Sequence, residues 1–546
     1  MAANKLRIIP LGGLGEVGKN MLAIEYGRNI LIVDSGGMFP EVDMYGIDLV
    51  LPDYTHYLAE KQSWVRGIVI THGHEDHIGS LPYLLQTVDA PVYATQLTAG
   101  LIDVKLRRHN LSDTVALQVI KPGKPFNIGG LFEIEAFHVC HSIPDAVGFA
   151  IRTPVGLIVH SGDFKFDYTP AWGPPPDFGK LAQLGDEGVL LLLSDSTNAG
   201  NPGFTPSEKT VTDGLDQAFR EAPGRVIIAT FASLVSRVQQ IIDVAARNGR
   251  VVAVDGRSLK ESTERAQELG YLKIPRDTLV ELNTLRKYRD DQIVIIATGT
   301  QGESSAALGR MATGQHRQIS IKEGDTVILS SRVIPGRESE VNRAVNRLFQ
   351  RGANVITGRG SSVHVSGHAS QEELKLLLNL VKPQYFIPVH GELQHLHAHS
   401  RLAQNQGISA ENICVMENGM VAEFDDDKVT ITERIPGGYI FVDGHGVGDT
   451  GRVVLRDREL LSQNGFVLAV VRLNQEDSQP TTRPEIITRG FIYIRESGEL
   501  LTQAEDAVMS ALPAKRPYDA VRKALSDFVY KETGRQPMIL PVIIEE

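Results

Sequence analysis

Only two cysteines, Cys140 and Cys414, occur in the 546 residues, which excludes a disulfide framework and fits a reducing compartment. No apolar run approaches the roughly 20 residues needed to cross a bilayer. The opening Met1–Ile8 also lacks the long apolar core of a secretory signal, so a cytoplasmic location is expected. Positive charge is in deficit: 55 Lys and Arg against 66 Asp and Glu leave a formal net charge of −11. That balance argues against a nonspecific polybasic coat, although a local groove of Lys and Arg can still dominate contacts with nucleic acid. Internal repeats and low-complexity tracts are missing as well.

What is present is an ordinary globular composition, 42% apolar and 22% charged, in a chain long enough for two to four domains. The first two hundred residues alternate short β-branched runs with turns, among them residues 6–10, 21–26, 29–34, 67–70, 132–137, 157–160 and 189–194. Residues 96–108 carry the clearest helical pattern. This texture predicts a sheet sandwich with helices outside. Gly13, Gly15 and Gly18 match a dinucleotide-binding spacing, but residues 21–26 and 29–34 read as successive strands around Gly27, where that motif needs a helix. From about Ser207 the pattern becomes repeated helix and strand, an α/β domain with a parallel sheet. Residues 441–458 read as a Gly-rich junction, and a small α/β domain follows at 459–546. That last domain lacks clustered His or Cys, which suggests a structural or oligomerisation role.

Residues 72–77 read His-Gly-His-Glu-Asp-His just beyond an apolar run. Past a strand end, side chains can converge on cations without the strand's alternation sending them to opposite faces. His72 and His74 can serve one cation while Asp76 and His77 serve another. A two-metal site needs six to eight ligand atoms, with cations roughly 3.5–4 Å apart suiting phosphoryl displacement. The further candidates are His141, Asp163 and His390, each after an apolar run and before a turn. Cys140 adjoins His141, but a thiolate is not needed where His and Asp abound. His364, Ser366 and His368 could share one face of an extended segment suited to a phosphate, with Gly367 allowing close approach. Ser233 opens a helical pattern after a strand and suits either an anion or an N-cap. His395 and His399 would share a helix face beyond His390 and are expected to meet solvent or packing. His138, His160, His316 and His445 stay without a role.

Asp34, residues 72–77, His141, Asp163 and His390 resemble, in order and separation, the motifs of the metallo-β-lactamase superfamily. Asp195 in Leu-Ser-Asp-Ser-Thr-Asn, residues 298–303, 330–336 and 363–370 resemble its β-CASP branch, and within it the bacterial ribonuclease J family, over nearly the full length. The resemblance implies an αββα sandwich at 1–206 and 356–440, a β-CASP insertion at 207–355 and the C-terminal domain. It also implies two zinc ions, with manganese open because His and Asp accept both. His72, His74, His141 and Asp163 would hold one, and Asp76, His77, His390 and the bridging Asp163 the other. Asp34 would orient the ligand loop, and Glu75 would be a supporting acid or only a loop carboxylate. Asp76, His368 and Asp195 would be catalytic, with His368 at the scissile phosphate and Asp195 its partner, and Ser233, His364 and Ser366 would hold a neighbouring phosphate. Ile47, Leu49 and Asp443 resemble a contact for an extra divalent cation.

The implied activity is hydrolysis of single-stranded RNA, 5′ to 3′ from 5′-monophosphate ends together with internal cleavage. The expected setting is rRNA maturation and mRNA decay, as a homodimer and within an RNA-degradation complex. The rivals are a small-molecule metallohydrolase acting on thioesters or lactams, a catalytically silent RNA-binding scaffold, and nucleases of transfer-RNA or messenger 3′ ends. The inserted domain weighs against the first, and the complete ligand set against the second.

Overall fold

The computed structural model describes residues 5–334, 336–358, 362–424, 428–492 and 498–546. Its centre is a pair of stacked sheets. One has eight strands in the order Val429–Arg434, Met420–Phe424, Leu6–Gly12, Met21–Tyr26, Asn29–Val33, Val65–Val69, Val92–Ala94, Leu117–Val119. The other has six: Tyr385–Val389, Val189–Asp195, Leu157–His160, Val147–Arg152, Phe132–His138, Phe126–Ile128.

Alternation along each strand sorts side chains into two cores. Leu6, Ile8, Ile24, Leu31 and Val33 meet Phe149, Ile151, Leu191 and Leu193 between the sheets, while Ile9, Ala23, Ile30, Ile32 and Leu192 face the covering helices. Both faces are buried, which is why these strands read as continuous apolar runs. Each fully buried aliphatic contributes roughly 1.5–3 kcal/mol. The expected sandwich with outer helices is the observed one.

Strand direction places the chemistry. Leu157–His160, Val189–Asp195 and Tyr385–Val389 run parallel, and Asn29–Val33 runs parallel to Val65–Val69. Within each sheet the carboxyl ends of these strands therefore fall on one edge. The loops after them carry Asp34, residues 72–77, Asp163 and His390, and Asp195 ends its own strand.

The inserted sheet is wholly parallel, ordered Val251–Asp255, Ile293–Ala297, Val226–Ala229, Thr326–Leu329, Asn354–Thr357. It ends at Thr357, two residues past the expected boundary, because the last edge strand completes its pairing there. The Ser370-x-x-Glu373 pattern forms a capping box that starts the helix Gln371–Val381.

The division at 441–458 differs from expectation. The chain forms two compact units, 1–39 with 49–440, and 40–48 with 441–546. Inside the second, Tyr45 and Asp48 are hydrogen-bonded to Arg458 and Val442. Within the Gly-rich junction 441–458 a short pairing joins Val442 to Val447, and a helix runs Arg452–Asn464. The excursion at 40–48 left no pattern because its partners lie some four hundred residues away. The remainder of this unit is a three-stranded sheet, Glu485–Arg489, Phe466–Leu473, Met538–Glu545, covered by Gly498–Ser510 and Pro517–Thr533. The strand expected to run to Tyr493 ends at Arg489, and residues 490–492 bend away instead; Tyr493 itself lies outside the described residues, as does Pro335 of the 330–336 segment. No helix among the described residues is long and apolar enough to cross a membrane.

Arg225 enters the inserted sheet with its guanidinium donating to both oxygens of buried Asp325, at 2.9 and 2.6 Å. Replacing Asp325 with Ala strands a nearly buried cation, so the urea-unfolding free energy should fall by about 3 kcal/mol. Asp290→Ala, which removes the exposed partner of Lys322, should cost about 0.5 kcal/mol or less. Equal effects would refute the assignment.

Candidate metal centre

Residues 72–77 leave the strand Val65–Val69 and enter a one-turn helix, Glu75–Ile78. This brings four side chains onto one locus. His72 Nε2 lies 3.0 Å from His74 Nδ1, which lies 3.2 Å from His141 Nε2. Asp76, His77, Asp163 and His390 form a second group, with one ligand atom of each within 4.8 Å of the others. Asp163 joins the two: its Oδ2 is 3.2 Å from His77, 3.4 Å from His390 and 3.7 Å from both His72 and His141.

The far sides of the rings fix which nitrogen faces inward. Thr71 donates its hydroxyl hydrogen to Asp34, 2.8 Å, and so accepts from His72 Nδ1–H, 3.1 Å. His77 Nδ1–H donates to Asp34 at 2.8 Å. His141 Nδ1–H donates to the Gly367 carbonyl, 2.8 Å. Thr197 donates to Asp195, 2.8 Å, and accepts from His390 Nδ1–H, 2.6 Å. In each of these four rings Nε2 is thereby the nitrogen turned toward the cluster.

Asp34 does this from a strained position, φ +61°. Its carboxylate also accepts from the Thr71 backbone N–H at 2.8 Å. Asn20, which no metal-type pattern flagged, donates to the Asp76 carbonyl at 3.0 Å and lies 3.2 Å from His77 Nε2. Glu75 turns away: both its oxygens accept from Lys105, at 2.7 and 2.6 Å.

Electrostatics divide the cluster. Burial pushes His72 and His141 well below the usual imidazole value, and His74 down to about 4. Burial alone would also depress His77 and His390, but the surrounding carboxylates, Asp163 foremost, outweigh it. His77 is held well above its ordinary value and His390 is raised to about 9. The His390 Nε2 is nonetheless buried without a hydrogen-bond partner. An orphaned nitrogen, three further ring nitrogens within 4.8 Å of one another and two carboxylates are donors that a divalent cation satisfies together.

Beside this centre, His368 Nδ1 contacts Asp195 Oδ2 at 2.8 Å, and its ring lies 5.0 Å from that of His141 and 5.3 Å from that of His390. Burial opposes a charged His368, yet Asp195 raises its pKa above the ordinary value. Ser366 Oγ accepts from Asn198 at 2.8 Å and from the His368 N–H at 3.2 Å. His364 has a buried, unpartnered Nδ1 and a pKa pushed down to about 3 by burial and by Arg237, Lys165 and Arg332.

Ser233 is placed differently from expectation. The helix begins at Val235, the cap is Leu234 without a side-chain bond, and Ser233 contributes its carbonyl to the Val235 N–H at 2.8 Å. Among the described residues no hydrogen bond joins Ser233 to His364 or Ser366.

Of the remaining histidines, His399 is buried, 3.0 Å from Ser196 Oγ, and His395 caps its own helix, as packing rather than ligation. His138 lies 3.0 Å from the Pro174 carbonyl, His160 accepts from the Gly162 N–H and His316 pairs with Asp255 at 2.8 Å. Cys140 is buried with its thiol pushed up to about 11, away from thiolate character. In the second unit the Asp443 carboxylate already pairs with Arg458 and accepts from Thr450, so a cation there would have to displace a guanidinium.

Comparison with known proteins agrees with this geometry. Residues 223–348 match the ribonuclease J β-CASP domain and 453–546 the ribonuclease J C-terminal domain. Residues 355–413 match the Zn-dependent metallo-hydrolase RNA specificity domain, and 46–179 the beta-lactamase superfamily domain. The chain is 44% identical to ribonuclease J2 of Bacillus subtilis over 99% of its own length and 98% of that protein's. It is 44% identical to ribonuclease J 1 of Streptococcus pyogenes, with the same coverage of both chains. Ribonuclease J of Thermus thermophilus is 43% identical over 99% of this chain and 95% of its own. A crystal structure of an Enterococcus faecalis protein of unknown function shares the fold at TM-score 0.53 and 15% identity, covering 77% of this chain and all of that one.

Asp34→Ala removes the acceptor that orients His77 and Thr71. Divalent-cation affinity, measured by chelator competition, should fall roughly 10- to 100-fold. Unchanged affinity would show that Asp34 serves the backbone alone.

Proposed function

The chain belongs to the ribonuclease J family, and on that footing we propose a two-cation ribonuclease that degrades RNA 5′ to 3′ from 5′-monophosphate ends and also cuts internally. The observation that carries the reading is the His368–Asp195 pair set beside the His and Asp cluster: a proton-bearing ring held next to inward-facing ligands.

We assign His72, His74, His141 and Asp163 to one cation and Asp76, His77, His390 and Asp163 to the other, with zinc the favoured ion and manganese compatible with the same donors. When bound, the ions lower the pKa of water and neutralise phosphate charge. The chain's residues do the rest. Asp34, Thr71, Thr197 and the Gly367 carbonyl hold the rings in one tautomer. Asp76 completes the second cation's ligands and adds negative charge facing His77 and His390. Asp195 accepts from His368 Nδ1–H, which turns Nε2 toward the phosphate, where its proton stabilises a non-bridging oxygen as negative charge grows. His364 and Ser366, with Ser233 at the neighbouring helix start, form the pocket for a terminal monophosphate. A held terminus next to the cleavage site gives mononucleotide release, and a strand without such an end is cut internally.

The cellular reading is rRNA maturation and mRNA decay in the cytoplasm, as a homodimer joined through the C-terminal unit.

RNAs labelled at either end and carrying a 5′ monophosphate or triphosphate test the reading. Mononucleotide release with a preference of about tenfold or more for the monophosphate is expected, abolished by chelator and by His77→Ala. A ladder insensitive to the 5′ end would leave only an endonuclease. His368→Ala should lower kcat by roughly 100-fold or more with little change in KM, as for an oxyanion-stabilising group. His364→Ala should instead erode the monophosphate preference, and a variant that keeps the preference removes His364 from the pocket.

A further inference from the structure

Phe204 is 57% exposed, the barest phenylalanine among the described residues, and its ring touches no other ring there. A single exposed apolar side chain is commonplace. The backbone around this one is not. On one side the Gly203 carbonyl accepts from the Glu372 N–H, 3.1 Å, and the Asn201 carbonyl from the Gln371 N–H, 3.0 Å. On the other, the Thr205 N–H donates to Glu373 Oε2 at 2.7 Å, and its hydroxyl donates to the His368 carbonyl, also at 2.7 Å. Glu373 is fully buried and accepts from the Ser370 and Phe166 N–H groups as well, at 2.8 and 2.7 Å. The chain is thus pinned immediately before and after Phe204, and one of the pins is the backbone of the residue assigned to the scissile phosphate.

A rigid loop that presents an uncovered aromatic face beside a nucleic-acid-cleaving centre has an evident use. Thr205, the next residue in the chain, is bonded to the His368 backbone, which sets the Phe204 loop beside the residue assigned to the scissile phosphate, and every base offers a π-face to stack, whatever its sequence. Tyr168 makes a useful contrast. It is 59% exposed on the neighbouring segment, tied by the Thr169–Ser207 hydrogen bonds, but already stacks on Phe178 at 5.7 Å. Phe204 has no such cover.

We infer that Phe204 is a base-stacking residue that holds a nucleotide adjoining the scissile phosphate of single-stranded RNA. The inference rests on the ribonuclease reading above. It makes Phe204 a determinant of substrate position, with no part in bond making.

The test compares wild-type chain with Phe204→Ala, Phe204→Leu and Phe204→Trp on a 5′-monophosphorylated oligoribonucleotide, recording KM, kcat and the dissociation constant by anisotropy. Stacking predicts that Ala and Leu each raise KM and the dissociation constant roughly tenfold while kcat at saturation holds, and that Trp restores binding. An abasic nucleotide walked through the positions flanking the cleavage site should erase the wild-type advantage at one position only. Leu performing as well as Phe, or an advantage untouched by every abasic position, overturns the inference. Failure of the wild-type chain to cleave any RNA in the presence of zinc or manganese would overturn the ribonuclease reading instead, so the two outcomes are separable. Circular dichroism of Phe204→Ala checks that the fold is intact, and Phe204→Leu keeps the test open if Ala unfolds.

Discussion

One carboxylate oxygen organises the molecule's chemistry. Asp163 Oδ2 sits 3.2 to 4.0 Å from the rings of His72, His77, His141, His368 and His390, on a side chain that is 3% exposed. A buried carboxylate of this kind is costly unless opposed by positive charge. His77, His368 and His390, whose pKa values are raised, supply that charge, and the five surrounding rings come from four separate segments and both sheets, so the sandwich must close correctly before Asp163 is satisfied. The constraint runs both ways: the same oxygen that requires the surrounding rings is shared between the two ligand groups.

The inserted domain extends that logic to the substrate side. Arg237, buried on the helix Val235–Arg247, donates to Glu208, Ser330 and the Val363 carbonyl. Lys165, also buried, lies 3.8 Å from Glu208 and donates to the Pro206 carbonyl. These contacts tie the sandwich, the crossing segment and the inserted sheet together beneath the stretch 363–368. Glu373 performs the matching task from the other direction, gathering backbone donors from three segments. Residues 363–368 therefore inherit their positions from buried charge, and their spacing relative to the cluster depends on the seam between the sandwich and the inserted sheet.

Local pattern made the metal-type residues legible. Residues 72–77, His141, Asp163 and His390 each follow an apolar run, and a strand's carboxyl end is a place that short-range sequence can reveal. The sandwich and the parallel inserted sheet were readable for the same reason, since both rest on periodicity. What stayed hidden is what depends on partners distant in the chain. Asn20 and Thr197 support ligands through groups with no metal affinity of their own, and Lys105 neutralises Glu75 from a helix thirty residues on. Residues 40–48 join the second unit through hydrogen bonds to Val442 and Arg458. Ser233 lies two residues before the helix, which starts at Val235 with Leu234 as its cap, because a local sequence that suits a cap does not fix which residue takes that place.

This division explains how one superfamily scaffold can specify a substrate without altering its chemistry. The ligand rings are locked by hydrogen bonds on their far sides, to Asp34, Thr71 and Thr197, none of which belongs to the inserted sheet. Among the described residues, His141 is the ligand ring anchored by the return segment, through the Gly367 carbonyl at 2.8 Å. Gly367 leaves no room for a side chain there, since an added Cβ would lie 2.7 Å from the His141 ring. The backbone that fixes the His141 ring is thus the backbone that carries Ser366 and His368, the two residues proposed to meet the phosphate. A shift of that segment would also move the His141 ring, so on the proposed reading substrate position and metal geometry cannot vary independently at this one point.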